Sequence, residues 1–235
     1  MSDFSKTILS ETLDLNFSDS HLKEQSLSTL CTDLLLIIIK MRDTTDLGET
    51  AALRKLINYY IGQLHKNCLR AGFTPETIEL VKYALVATLD ETVLSIPGEA
   101  RDFWITNPMQ LELFDENIAG EEFYRKLDHL MQTPEKNRST LEIYYFCLSL
   151  GFQGKYFLRD PQQREVIISQ LASLLVKCGK PFETLSPHAI WKNFSRGLGV
   201  KRDGPVPLWA IATVMGTVVL VIWAVLALMV ENPGF

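Results

Sequence analysis

The sequence predicts an all-α body followed by one membrane-spanning helix, and three observations carry that reading. Apolar residues recur at spacings of three and four from Leu27 to Cys178. No segment shows sustained period-two alternation of β-branched residues, and no hairpin signal occurs. From Val206 to Val230 the chain reads VPLWAIATVMGTVVLVIWAVLALMV, without a charged residue. A helix of that length covers the roughly 30 Å of bilayer hydrocarbon with room to tilt.

The elements follow in order. Residues 1–20 are polar and aperiodic, so they read as a flexible leader to a helical domain over residues 21–196. Leu27, Leu30, Leu34, Ile37, Ile38 and Met41 fall on one helical stripe. Asp46 with Glu49 reads as a capping box for a second helix, on which Leu53, Leu56, Ile57, Tyr60, Ile61, Leu64 and Cys68 point inward. Gly72 closes that helix, and Thr74-Pro75 opens a third, with proline at the first helical position. Its inward residues are Ile78, Val81, Leu85, Leu89, Val93 and Ile96, and Pro97-Gly98 stops it.

A loop is then expected around Phe103 and Trp104, before Asn107-Pro108 starts a short helix ending at Phe114. Glu121 to Met131 forms another helix, with a stop at Thr133-Pro134. The segment LEIYYFCLSLGF, Leu141 to Phe152, is apolar almost all round and so belongs in the middle of the domain. Asp160-Pro161 caps a final long helix that Gly179 ends, and Pro187 to Phe194 can add a turn or two. These segments make about seven or eight helices joined by short loops. A Gly- and charge-rich linker, residues 197–205, leads to the span at 206–230, and residues 231–235 form a stub beyond it.

Composition narrows the function. The chain has 235 residues, of which 47% are apolar and 22% charged, as in ordered globular proteins. Its 23 basic and 28 acidic residues give a net charge of −5, and no basic stripe is present, which excludes a nucleic-acid binder. Cys31, Cys68, Cys147 and Cys178 lie far apart in apolar helical settings, the pattern of buried thiols in a reducing compartment. Lys192, Arg196, Lys201 and Arg202 precede the span and only Glu231 follows it. The positive-inside rule therefore keeps the body in the cytoplasm and puts the stub across the membrane. No export signal opens the chain.

Enzymatic motifs are missing: no phosphate-binding glycine loop, no H-E-x-x-H, no G-x-S-x-G and no Cys-x-x-Cys. His65 and Cys68 share a helix face, but Cys68 is a core position, so neither metal nor cofactor is expected. The feature hardest to explain by packing is Asp90-Glu91, two carboxylates near the negative end of the third helix, where each is disfavoured by roughly 0.3–1 kcal/mol without a compensating cation. Either they pair with a cation of the same domain, or they form an acidic docking point for a protein partner, which Glu99 and Asp102 extend. Within the span, Ala212 and Gly216 make a small-xxx-small pair suited to self-association.

Three stretches in this order resemble the TssL/DotU (IcmH) family of type VI and type IVB secretion systems. They are Tyr83-Ala84-Leu85 with Leu89-Asp90-Glu91, then Leu113-Phe114 with Gly120-Glu121-Glu122-Phe123-Tyr124, then Leu141-Glu142 with Tyr145 to Leu148 and Gly151 to Tyr156. The resemblance implies a cytoplasmic body of two packed three-helix bundles in a hook, and no catalysis. It implies a homodimer bound to an IcmF/TssM-type inner-membrane protein, connecting the membrane complex to TssK and other baseplate proteins. It also raises Asp90 and Glu91 as docking residues. Phe157 stands where many relatives carry a basic residue, and no peptidoglycan-binding domain follows the span. A type IVB subunit is the alternative, with a membrane-tethered enzyme behind it.

Overall fold

The structure, a computed structural model, describes residues 25–116, 118–157 and 160–179. Among these residues the secondary structure is helical throughout. The leader, linker, span and stub lie outside them, as do Ala212 and Gly216. Among the described residues, no helix is long and apolar enough to cross a membrane.

The elements are α1 (Leu27–Leu30), α2 (Thr32–Arg42), α3 (Thr50–Arg70), α4 (Pro75–Ser95), α5 (Glu99–Thr106), α6 (Met109–Phe114), α7 (Ala119–Met131), α8 (Pro134–Ser149), a 3-10 turn η1 (Gly154–Tyr156) and α9 (Pro161–Lys177). Helix α4 is the axis of the domain and packs against α2, α3, α5, α6, α7 and α8. Its residues from Tyr83 to Asp90 are all buried, so a helix that reads as a stripe in the sequence is enclosed on every side. Helix α8 is enclosed likewise from Thr140 to Leu148, and α9 closes over it. One continuous core joins residues of all nine helices and η1.

Local chemistry sets several boundaries as the sequence predicts. The Thr74 hydroxyl accepts the Thr77 N–H with Pro75 at the first helical position. Asp160 Oδ1 accepts the N–H groups of Gln162 and Gln163 at 3.0 and 3.1 Å, opening α9. Gly72 closes α3 in the left-handed conformation, φ +87°.

Four expectations need correction. The first stripe breaks at Cys31 into α1 and α2, and α2 is buried from Leu34 to Ile39 without a polar face. Asp46 and Glu49 form no capping box. Glu49 is itself the N-cap residue, without a side-chain bond, while Asp46 Oδ1 takes the Gly48 N–H at 2.8 Å in a local turn. The segment around Phe103 and Trp104 is helix α5, because Trp104 must reach the core from a regular scaffold and is fully buried there. Thr133-Pro134 also starts α8, well before Leu141, since proline at the first helical position gives up no hydrogen bond.

Candidate functional site

Asp90 and Glu91 lie near the C-terminal end of α4, where the chain has no basic residue to balance the dipole. Both carboxylates turn inward. Trp104 Nε1 donates to Asp90 Oδ1 at 2.8 Å and the Met109 N–H donates to the same oxygen at 3.0 Å. The Gln110 N–H donates to Oδ2 at 2.8 Å. Helix α6 follows Pro108, which offers no capping side chain, so Asp90 serves as its N-cap from another helix.

Glu91 does the equivalent for η1. Its Oε1 accepts the Gln153 N–H at 2.8 Å and its Oε2 the Gly154 N–H at 2.7 Å. Adjacent positions on a helix diverge by roughly 100°, so the pair reaches two separate elements from one turn of α4. Asp90 holds the α5–α6 corner, and Glu91 holds the segment joining α8 to α9.

The electrostatics match this arrangement. Burial pushes the Asp90 carboxyl above the ordinary aspartate range, opposed by the hydrogen bonds from Gln110, Met109 and Trp104. Burial also raises Glu91, opposed by Gly154 and Gln153 and by the charges of Arg42 and Arg164. Both carboxylates of this pair spend their acceptor oxygens inside the domain. Asp90 is 5% exposed, and its two oxygens already hold three donors. The alternative of an internal salt bridge has the right location and the wrong partners, since backbone and indole N–H groups do most of the compensating.

A close approach of two backbones completes the Glu91 side. A Cβ on Gly154 would lie 2.8 Å from the Gly120 carbonyl oxygen, and one on Gly120 would lie 3.0 Å from Gly154 C. Gly154 also has φ +52°, so glycine is required there twice over. Tyr124 Oη donates to the Gln153 carbonyl at 3.0 Å. Arg164 donates through Nε to the Phe152 carbonyl at 2.8 Å and through Nη2 to that of Leu148. The Phe123 and Phe152 rings pack at a tilt of 41° with centroids 4.3 Å apart. Helices α4, α7, α8 and α9 thus meet at one knot.

Glu99 and Asp102 are placed differently. Both are exposed in the first turn of α5, where its dipole favours negative charge. Glu99, Asp46 and Glu49 line one cleft of about 310 Å³ together with Leu47, Ile96 and Pro97. On α5 and α6 the chain exposes Phe103, Ile105 and Leu111, at 43%, 59% and 41%. Arg54 ties α3 to α5 and α6: its guanidinium lies 4.8 Å from the Trp104 ring centroid and binds Glu112 and the Asn107 carbonyl. The sequence gives no sign that Asp46, Glu49 and Glu99 share a cleft, because the loops carrying them meet only through the packing of α3, α4 and α5.

His65 and Cys68 do not form a site: Cys68 is fully buried in the core, and burial pushes its thiol up to about 12. Among the described residues, no group of three or more His, Cys, Asp or Glu side chains could hold a metal. All four cysteines are free.

A family model described as "Type VI secretion system protein DotU" matches residues 26–229. This chain belongs to the DotU family. Solved structures show the same helical body. The cytoplasmic domain of TssL from Acinetobacter baumannii is 24% identical over 66% of this chain and 99% of its own, with a TM-score of 0.63. SciP/TssL from enteroaggregative Escherichia coli 042 is 25% identical over 63% of this chain and 86% of its own, with a TM-score of 0.56. TssL from Vibrio cholerae is 25% identical over 65% and 96%, with a TM-score of 0.57. No curated protein matches this chain. The described body of this DotU protein therefore resembles TssL cytoplasmic domains in fold, and the motif glycines and acidic pair find their reason in the two clips.

Proposed function

We propose that this DotU chain is a non-enzymatic, tail-anchored scaffold of a type VI secretion membrane complex. The observation that carries the reading is the extent of the family match. It runs through the helical body and on to residue 229, and so takes in nearly all of the uncharged stretch 206–230. With that stretch across the inner membrane, the body sits in the cytoplasm and residues 231–235 in the periplasm. The finer description of the body, two three-helix bundles in a hook, belongs to the same proposal.

The partners are an IcmF/TssM-type protein in the membrane, TssK and other baseplate proteins in the cytoplasm, and a second copy packed through Ala212 and Gly216. Confinement to one plane raises effective concentration, so several weak contacts act together. The contact face in the body is the exposed one, Glu99 and Asp102 with Phe103 and Ile105 beside them. An acidic rim around apolar side chains suits a partner with basic residues around an apolar anchor. Asp90 and Glu91 act on that contact by holding α5 and the α8–α9 segment in shape.

Purification of the full-length chain in gentle detergent from its own cells, with mass spectrometry of what accompanies it, tests the reading. Recovery of an IcmF-like protein together with baseplate subunits is expected. Recovery of type IVB coupling subunits, or of the chain alone, would overturn it.

A further inference from the structure

Helix α3 is a basic element in an acidic chain. Its 21 residues hold Arg54, Lys55, Lys66 and Arg70 and no carboxylate, in a protein of net charge −5. Every other described helix of more than four residues carries at least one Asp or Glu. The buried face of α3 runs through Leu53, Ile57, Tyr60, Leu64 and Cys68. At about 100° per residue, Lys55, Tyr59, Gly62, Lys66 and Leu69 fall on the opposite side, within an arc of about 80°.

That side is uncovered. Tyr59 and Leu69 are 57% and 47% exposed, and both lysines are exposed. Nothing lies within 4 Å of where a Cβ on Gly62 would stand. Among the described residues, neither Lys55 nor Lys66 pairs with a carboxylate. Two acids that reach α3 are already engaged: Glu79 meets Lys82 at 2.9 Å and His65 at 3.8 Å, and Glu112 binds Arg54. The stripe therefore keeps its positive charge.

We infer that this face of α3 lies on an anionic lipid surface. Its charge selects an acidic partner, and its layout selects a plane. The two lysines stand about 16 Å apart along the axis, with Tyr59 between them and Leu69 beyond. A single acidic side chain meets one of these lysines, whereas a bilayer presents acidic headgroups along the whole stripe. A phenol with an apolar body and a polar tip suits the headgroup level. Each lysine near such a surface strengthens the contact about five-fold. The inference rests on the membrane anchor proposed above, because two lysines hold weakly by themselves and an anchor supplies the effective concentration that lets them act.

The full-length chain in lipid discs tests this. Cys178→Ser is combined with Gly62→Cys, for which the fold has room, and an environment-sensitive fluorophore is attached there. The control carries the label through Val166→Cys, exposed on α9. Discs of phosphatidylcholine alone are compared with discs containing about 30% phosphatidylglycerol, and acrylamide quenching is read. The label at position 62 should be shielded several-fold in the anionic discs only, high salt should remove the shielding, and the control should be the same in both. Lys55→Gln with Lys66→Gln should weaken the contact about 25-fold, which returns quenching to the level of the neutral discs. A chain that enters both kinds of disc with equal quenching at position 62 would overturn the inference and leave the anchor standing. A chain that joins only the anionic discs, shielded at position 62, would keep the inference and contradict the anchor. One that enters neither would overturn both. Shielding that appears only when cell extract is added would give the face to an acidic protein and overturn the lipid assignment.

Discussion

At the scale of single residues, Asp90 is the most consequential polar group in the body. Truncation to alanine leaves three donors, two backbone N–H groups and the Trp104 indole, buried without an acceptor. Each such loss costs about 1–3 kcal/mol. Asp90→Ala should therefore lower stability by about 3 kcal/mol or more, a fall in Tm on the order of 10 °C in a domain of this size. Asp90→Asn keeps one acceptor oxygen and should cost about half as much; a thermal melt of each variant decides. Glu122 gives the pH dependence. Arg125, with Lys126 beside it, holds its carboxyl at about 2, against an ordinary value of 4.5. Because the folded-state value is the lower one, its contribution is fully present above 4.5 and is lost as pH falls toward about 2. Asp90 and Glu91 have raised values and contribute in the opposite sense, losing stability as pH rises through their own range. Glu122→Gln should therefore flatten the acid limb of a denaturant-midpoint profile, while the opposite contributions of Asp90 and Glu91 remain. The anomaly of this acidic pair was legible in the sequence, but its partners were not. Those of Asp90 lie 14, 19 and 20 residues away and those of Glu91 lie 62 and 63 away, and backbone N–H groups leave no mark in composition.

Among elements, the parts whose boundaries depend on neighbours within one turn were the legible ones. Thr74-Pro75 and Asp160-Pro161 satisfy their own helix N-termini, and the inward face of α3 from Leu53 to Cys68 follows its spacing. Helix α5 was missed because only two of its eight residues, Ala100 and Trp104, are buried, too few to show a period. The enclosure of α2 and α4 was equally hidden, since a helix buried all round has no stripe to find. The crossing of α7 and η1 is the element contact most exposed to a single change. Gly154→Ala places a Cβ 2.8 Å from the Gly120 carbonyl oxygen and at φ +52°, so backbone must shift. A loss of about 2 kcal/mol or more is expected, with faster amide exchange at Gln153 and Gly154 as the Glu91 clip opens. Wild-type exchange rates there would show that the crossing relaxes without cost.

The whole molecule divides its acidic residues by task. Asp90 and Glu91 are used internally to hold two surface segments in place, and Glu99 and Asp102 are left at the surface beside Phe103, Ile105 and Leu111. Family membership follows from a match across most of the chain, and the scaffold role is consistent with a body whose charged groups serve shape first. The measurement that tests this division most directly is partner recovery from native membranes with the full-length chain carrying Glu99→Lys and Asp102→Lys, scored against a thermal melt of the same variant. Both positions are exposed and lose only their favourable place at the start of α5, so stability should fall by no more than about 2 kcal/mol, while baseplate subunits are lost and the membrane partner is kept. Undiminished recovery of baseplate subunits with an unchanged melt would contradict the assignment of the α5 face to docking.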